Sequence, residues 1–331
     1  MTHKLSFYIT LLIMSMDTFS QPFSHEDHHF KYENIEWAQP DGQSLTLNIH
    51  VPDTAKTGNP VLIVYHGGGW RINTNEVMDS LSQYVCENGN YVVCNVNYRL
   101  LGDQNDAITM NKIVEDALGA FLWVKQNIKQ YGGDPKHISL TGDSAGGHLA
   151  LMVALGRKHL GQGGLDGEEL TFHPTYIPNG HTTQSIMSDY DLSIKSIVPS
   201  YPVVSIDYAV EHTERKIGRG ILGNSVSYKS HPHFYHRLSP YHLVLESEEL
   251  GFPPTFFLVG SIDKITTPES IQQLVNLLKD KEQSPLYWEY EGMPHAFLDG
   301  KENSWSGTTT TFHRHAPRAL DRMIKFLNAH N

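Results

Sequence analysis

A serine lies at the centre of the stretch TGDSAGGHLA, residues 141–150. Gly142 and Gly146 flank Ser144 with the spacing G-x-S-x-G, between the apolar run ISLT and a predicted helix. A sharp strand-to-helix turn holds a hydroxyl out above a sheet edge, and it needs small neighbours because a Cβ would clash there. The same sequence pattern also fits a serine that only caps the N-terminus of a helix. The strand–turn–helix context favours a nucleophile at Ser144.

A serine hydroxyl becomes nucleophilic when a base takes its proton and an acid orients that base. Asp263 follows the apolar run TFFLVG, and His295 lies in a loop after the run LYWEYE. In a strand–turn–helix arrangement of this kind, the base and the acid are expected at the carboxyl ends of later strands. We therefore predict that His295 is the base and Asp263 its acid, with Asp299 and Glu291 as the alternative acids.

Attack by a serine on a carbonyl produces an oxyanion, which needs fixed N–H donors. The stretch VLIVYHGGGW provides Gly67, Gly68 and Gly69 directly after an apolar run, and the amide of Ala145 follows the serine. We predict an oxyanion hole from these four residues, with His66 bracing the loop. A glycine-rich loop can also bind phosphate, but no Lys-Ser/Thr pair follows this one, which excludes a P-loop.

The apolar pattern of the chain predicts which elements position these groups. An alternating stretch with Leu45, Leu47, Ile49 and Val51 on one face predicts a half-buried antiparallel strand. Near-continuous apolar runs predict strands buried on both faces, at residues 61–65, 91–96, 138–141, 196–202 and 255–260, with a further strand at 286–291. Helical periodicity lies between and after them, at residues 111–131, 266–281 and 318–329. This alternation predicts an α/β fold around a mostly parallel sheet.

Two stretches do not fit the alternation, at about 156–191 and 207–243. Long loops in a compact domain usually serve as lids or binding loops, so we interpret residues 21–331 as one domain with two insertions. Phe234 and Tyr235, together with Trp70 of the glycine loop, are candidate substrate-pocket residues. The aromatic residues of the second insertion fit packing of a lid equally well.

The N-terminal residues 1–20 combine Lys4, an apolar run and small residues, the layout of a signal peptide. They predict a secreted or periplasmic protein whose mature chain has no integral membrane segment. A net charge of −11 without a basic block argues against nucleic-acid binding. The sequence leaves the oligomeric state open.

Two cysteines and two histidine clusters have alternative interpretations. Cys86 and Cys94 fit either one disulfide or two buried thiols, and the pattern favours the thiols. Histidines cluster at residues 25–30 and 230–236, but a zinc site needs a rigid set of three or four ligands. We expect a mobile arm at the first cluster and a lid at the second, and therefore no metal and no cofactor.

The motifs HGGGW, NVNYRL, GDSAGGHLA, GSIDK and GMPHAF occur in this order over residues 34–329. In this combination the chain resembles α/β-hydrolase carboxylesterases, both the hormone-sensitive-lipase-like esterases and the group of feruloyl esterases, acetylxylan esterases and arylformamidases. Asp143 looks like the first group, whereas Trp70 and His148 look like the second. The resemblance implies an α/β-hydrolase fold with Ser144, His295 and Asp263 as its triad.

The leading hypothesis is a secreted serine carboxylic-ester hydrolase that forms an acyl-enzyme. Its substrate would be a short acyl or aryl ester on a small molecule or a carbohydrate, including a decorated polysaccharide. An arylformamidase-like amide hydrolase is the alternative enzyme. A non-catalytic binding protein of the same fold is the alternative from another class.

Overall fold

The computed structural model describes residues 29–54, 57–163, 171–212, 226–248, 251–300 and 312–331. An eight-stranded sheet runs through these residues in the order β1-β2-β4-β3-β5-β6-β7-β8. The strands are β1 His29–Ala38, β2 Leu45–Pro52, β3 Asn59–Tyr65, β4 Val92–Val96, β5 Gly133–Asp143, β6 Ile197–Ser200, β7 Phe256–Gly260 and β8 Leu286–Tyr290. The antiparallel pairs are β1 with β2 and β2 with β4, and the other neighbours are parallel. The predicted, mostly parallel α/β sheet is confirmed.

The strand β2 departs from the prediction of one solvent-facing side. Its apolar residues are buried as expected, but Asn48 and His50 on the other face are buried as well. The helix α1, Asp79–Gly89, packs over that face, and Asp79 accepts a hydrogen bond from His50. Polar residues on a strand therefore do not mark a solvated face when a helix supplies their partners.

The longer helices lie between and after the strands, as the periodicity predicts. They are α2 Met110–Asn127, α3 Ala145–Gly156, α8 Pro268–Asp280 and α9 Phe312–His330. Residues 113, 117, 121 and 124 of α2 are fully buried. Gly119 allows the segment at Thr175 and Tyr176 to approach α2, because a Cβ there would lie 2.7 Å from the Tyr176 nitrogen. The helix is thus packed between the sheet and this segment.

The two insertions contain short helices where the sequence predicts long loops. These helices are α4 Thr183–Asp189, α5 Ile206–His212, α6 Pro232–Arg237 and α7 Pro240–Glu246. Thr182 closes a capping box on α4, and proline occupies the first turn of both α6 and α7. Stretches this short carry too little periodicity to be read from the sequence. We refer to α5, α6 and α7 as the insertion helices.

Other predictions concern the two cysteines, the N-terminal residues and membrane-spanning segments. Cys86 on α1 and Cys94 on β4 are buried free thiols, as favoured, and burial raises the pKa of each. The predicted signal peptide, residues 1–20, lies outside the described residues, as do residues 25–28 of the first histidine cluster. His29 and Phe30 of that cluster begin β1, and His29 is buried, so the expected mobile arm is wrong for these two residues. In the part of the chain that the structure describes, no helix combines the length and the apolar character needed to span a bilayer.

Candidate active site

Ser144 lies in a sharp turn between β5 and α3. Its backbone has a φ of 51° and a ψ of −115°, a conformation that costs energy for a residue with a side chain. The turn requires Gly146, where a Cβ would lie 1.9 Å from the carbonyl oxygen of Tyr65. The Ser144 amide donates to the carbonyl of Ser200 at 2.9 Å, which ties the turn to the end of β6. The hydroxyl is therefore held at the carboxyl edge of the sheet.

The side chains of Ser144, His295 and Asp263 form a hydrogen-bonded chain. His295 Nε2 lies 2.9 Å from Ser144 Oγ, and His295 Nδ1 lies 2.7 Å from Asp263 Oδ2. A carboxylate partner places the ring proton on Nδ1, which leaves Nε2 free to accept the serine proton. All three residues are at least 94% buried. The structure thus brings the three predicted residues together in the arrangement of nucleophile, base and orienting acid.

The Asp263 carboxylate is itself fixed by its own loop. Its Oδ1 accepts the amides of Ile265 at 2.8 Å and Thr266 at 3.0 Å. The Thr266 hydroxyl lies 3.0 Å from Asp263 Oδ2 and 2.8 Å from the carbonyl oxygen of Tyr201. Thr266 was not among the site residues predicted from the sequence. Its position three residues after an aspartate, the spacing of a local side-chain turn, is a signal that would have found it.

Tyr201, just after β6, is a second residue that the sequence analysis missed. Its ring packs edge-on against the His295 imidazole, with centroids 4.9 Å apart. Its hydroxyl accepts the amide of Leu298 at 3.2 Å, which anchors the loop that carries the histidine. Tyr201 has no exposed surface, so it supports the His295 ring from the core side. No sequence signal distinguished it from an ordinary core tyrosine.

The glycine loop offers N–H donors beside the serine, but not all four that were predicted. The amide of Gly67 donates to Asp143 Oδ1 at 2.5 Å, so it is not available to an oxyanion. Among the described residues, the amides of Gly68, Gly69 and Ala145 have no protein acceptor. Gly68 has a φ of +117° and Gly69 a φ of +60°, conformations that glycine tolerates best. We therefore remove Gly67 from the predicted oxyanion hole and keep the other three.

A pair of buried carboxyl groups lies directly behind this loop. Asp143 is 2% exposed and hydrogen-bonds to the side chain of Asp299 as well as to the Gly67 amide. Burial, followed by the nearby Asp299, raises the pKa of Asp143 well above its usual value. Asp299 is thus engaged with Asp143, and Glu291 is exposed. Neither alternative acid occupies the place that Asp263 holds against the histidine.

His66 braces the glycine loop, as predicted. Its Nδ1 lies 2.7 Å from the carbonyl oxygen of Gly67, and its ring stacks on Tyr98 at 4.3 Å. The Tyr98 hydroxyl donates to the His66 carbonyl at 2.5 Å. Complete burial lowers the pKa of His66 to about 4, so the ring is neutral at neutral pH.

Trp70 is buried behind the loop rather than open to a substrate. It is 2% exposed, and its indole N–H donates to His148 Nδ1 at 3.3 Å. The other ring nitrogen of His148 lies 2.7 Å from the carbonyl oxygen of Leu238, which follows α6. Burial lowers the pKa of His148 to about 4. Trp70 and His148 therefore connect the glycine loop, the helix after Ser144 and the insertion helices.

Phe234 and Tyr235 pack the insertion, which decides between the two interpretations of these aromatics. Phe234 is 4% exposed and Tyr235 is fully buried. Their rings pack edge to face, and the Tyr235 hydroxyl donates to the carbonyl of Val226. They stabilise the insertion from within and present almost no surface to a ligand.

Comparison with known proteins identifies the family. The chain matches the BD-FAE family over residues 47–278. It is 27% identical over 144 residues to carboxylesterase NlhH of Mycobacterium tuberculosis, covering 44% of this chain and 42% of that protein, and so spans less than half the length of that relative. It is 26% identical over 275 residues to versiconal hemiacetal acetate esterase of Dothistroma septosporum, covering 80% of this chain and 74% of that protein.

The structure of Thermogutta terrifontis esterase 2 superimposes on this one with a TM-score of 0.65 at 21% identity, over 89% of this chain and 92% of that one. The predicted esterase resemblance and the α/β-hydrolase fold are confirmed, and the chain belongs to the BD-FAE family.

Proposed function

We propose that this protein is a serine carboxylic-ester hydrolase in which Ser144 is the nucleophile, His295 the general base and acid, and Asp263 the acid that orients the histidine. One observation carries the proposal: His295 Nε2 lies 2.9 Å from Ser144 Oγ while its Nδ1 lies 2.7 Å from Asp263 Oδ2. Two curated relatives are named carboxylesterase and hemiacetal acetate esterase, which supports the same chemistry.

Acylation follows from this geometry. Ser144 Oγ attacks the ester carbonyl carbon while its proton passes to His295 Nε2, and the Asp263 carboxylate stabilises the imidazolium that forms. The carbonyl oxygen becomes an oxyanion, for which the open amides are those of Gly68, Gly69 and Ala145. Collapse of the tetrahedral intermediate breaks the bond to the alcohol oxygen, and the histidine returns the proton to that leaving group.

Deacylation repeats the steps with water as the nucleophile. His295 takes a proton from water as the water oxygen attacks the acyl carbon of Ser144, and the same amides bind the second oxyanion. The acid is released when the bond to Oγ breaks and the serine recovers its proton. Burial lowers the pKa of His66 and of His148 to about 4, so both rings are neutral at neutral pH. No unpaired positive charge is therefore buried beside the site.

The substrate class is part of the proposal. We infer short acyl or aryl esters, since one structural relative was solved with propionate and with butyrate bound. The signal-peptide pattern of residues 1–20 supports export, and an exported esterase fits esters of carbohydrates or of other extracellular small molecules.

The proposal is tested by turnover of p-nitrophenyl esters from acetate to decanoate, with methyl ferulate beside them. Wild type is compared with Ser144→Ala and with Ser188→Ala, a matched control at an exposed serine on α4. We expect Ser144→Ala to lose activity by about 10⁶-fold and Ser188→Ala to keep it. Mass spectrometry after paraoxon treatment should place the phosphoryl label on Ser144.

Two results would contradict the proposal. Turnover that survives in Ser144→Ala would refute the assigned nucleophile. Folded wild type without turnover on any ester would refute the ester hydrolase. Cleavage of aryl formamides by that same preparation would then favour the amide hydrolase, and inactivity on both classes the binding protein.

A further inference from the structure

Three side chains from the three insertion helices meet at one point. Asp207 lies on α5, His236 on α6 and His242 on α7, and one ligand atom from each lies within 4.8 Å of the others. His242 Nε2 is 3.0 Å and His236 Nδ1 is 3.7 Å from the same oxygen, Asp207 Oδ2. All three residues are partly buried.

The spacing suits a divalent transition metal. Imidazole nitrogen and carboxylate oxygen are ligands of Zn²⁺ and related ions, at about 2.0–2.2 Å from the metal. In a tetrahedral site those bond lengths put ligand atoms about 3.3 Å apart, and the two distances to Asp207 Oδ2 lie on either side of that value. Rotation of the two imidazoles out of their present stack would bring the three atoms around one ion.

The surrounding groups orient the ligands as outer-shell groups do in metal sites. The Tyr228 hydroxyl donates to Asp207 Oδ1 at 2.8 Å and leaves Oδ2 directed at the two imidazoles. Glu246 lies 3.6 Å from His236 Nε2, on the side of the ring away from Asp207. The hydrogen bond from Tyr228 fixes the direction of the carboxylate, and Glu246 is close enough to His236 Nε2 for an ion pair.

The packing of the two imidazoles leaves one buried nitrogen without a partner among the described residues. Their rings stack with centroids 3.3 Å apart and an interplanar angle of 24°. His242 Nδ1 is buried and has no hydrogen-bond partner in the part of the chain that the structure describes.

We propose that Asp207, His236 and His242 form a site for a divalent transition metal of the zinc type, with water completing its coordination. The ion would fasten α5, α6 and α7 to one another. Because His148 holds the Leu238 carbonyl that follows α6, the site would also fix the insertion relative to the helix that begins after Ser144. The proposal does not depend on the ester-hydrolase assignment.

Isothermal titration of the EDTA-treated full chain with ZnCl₂ tests the site. We expect one equivalent of Zn²⁺ to bind wild type and to raise its melting temperature with increasing concentration. Loss of an outer-shell group costs about 10–100-fold in affinity, so we expect Tyr228→Phe to fall in that range. His242→Ala, which removes a ligand, should weaken binding by more than 100-fold. The matched control is His233→Ala, at an exposed histidine of the same helix as His236.

Two results would overturn the proposal. One is the absence of Zn²⁺ binding to wild type at micromolar concentration. The other is unchanged affinity in both His242→Ala and Asp207→Asn, which would place the ion at other histidines of the chain. Asp207→Asn keeps the shape of the side chain, so the test stands even where the alanine variant fails to fold. Ester turnover is measured separately, and its presence or absence does not alter the outcome.

Discussion

Asp143 connects the glycine loop to the core, and its removal should affect stability and catalysis together. Its Oδ1 accepts the Gly67 amide at 2.5 Å, in a site where Asp143 is 2% exposed. In Asp143→Ala that amide stays buried without an acceptor, which costs about 1–3 kcal/mol. Asp299 loses its hydrogen-bond partner in the same variant, which adds to the loss. We expect the free energy of unfolding to fall by about 2 kcal/mol.

The catalytic effect follows from the position of the loop. Without the hydrogen bond to Asp143 the glycine loop is no longer fixed at Gly67, and the amides of Gly68 and Gly69 can move away from the oxyanion position. Loss of one oxyanion donor costs about 10²–10³-fold in kcat. We expect kcat of Asp143→Ala to fall by about 10²-fold with little change in KM. Asp143→Asn keeps the acceptor oxygen and the shape, so its kcat should stay within about tenfold of wild type.

The same pair predicts a pH dependence of stability. The folded pKa of Asp143 is raised, by burial first and then by Asp299, so above pH 3.8 the folded state binds more protons than the unfolded state. This contribution to stability is lost as the pH rises from about 3.8 towards the raised folded pKa, at up to about 1.4 kcal/mol per pH unit. Asp143→Asn should remove that slope.

Urea unfolding at several pH values and steady-state kinetics on p-nitrophenyl butyrate measure these effects. Wild-type kcat in Asp143→Ala would refute the anchoring role of the carboxyl group. Equal damage from the asparagine and alanine variants would show that the charge, and not the acceptor oxygen, is what the loop requires. An unchanged pH slope in Asp143→Asn would contradict the raised pKa.

Three further predictions concern the triad, acid stability and the serine turn. Asp263→Asn should lower kcat by up to about 10⁴-fold because the histidine loses the partner that sets its tautomer, and full activity in the ester assay would refute that role. His148 is buried with its pKa lowered to about 4, so its contribution to stability is complete above pH 6.5 and is lost as the pH falls towards 4, by about 3 kcal/mol in total. Urea unfolding of His148→Gln should show a shallower loss over that range, and an equally steep loss would count against the assignment. Gly146→Ala puts a Cβ 1.9 Å from the Tyr65 carbonyl oxygen and should cost at least about 3 kcal/mol. Gly102→Ala, whose Cβ would only make ordinary van der Waals contact with Arg71 at 3.9 Å, should be close to neutral in thermal unfolding.

Local sequence patterns were sufficient to predict the strands β2 to β8 and the three residues at the centre of the site, but not the short helices of the insertions. Ser144 and Asp263 each follow a buried run of strand residues, and His295 follows the edge strand β8. Parallel strands bring their carboxyl ends to one edge of the sheet. Topology therefore placed these residues together once the strands were recognised. The glycines around Ser144 were equally readable, because their requirement is set by the backbone of the turn itself.

The pairing of side chains from distant elements was decided by tertiary structure alone. The engagement of Gly67 by Asp143, the burial of His50 against Asp79 and the positioning of His295 by Tyr201 each join residues that no local pattern connects. The second histidine cluster gives the clearest case, since His236 finds its partners on two other helices and not among its neighbours in sequence.

The physical reason is that a turn or a buried strand is specified by its own few residues, whereas a hydrogen bond between elements depends on their packing to within a fraction of an ångström. By itself the sequence determined the α/β architecture, the strained serine turn and the three residues, Ser144, Asp263 and His295, that meet at the sheet edge. Only the tertiary structure decided which amides stay open to an oxyanion, which carboxylate the histidine faces and which polar groups the insertion helices bring together.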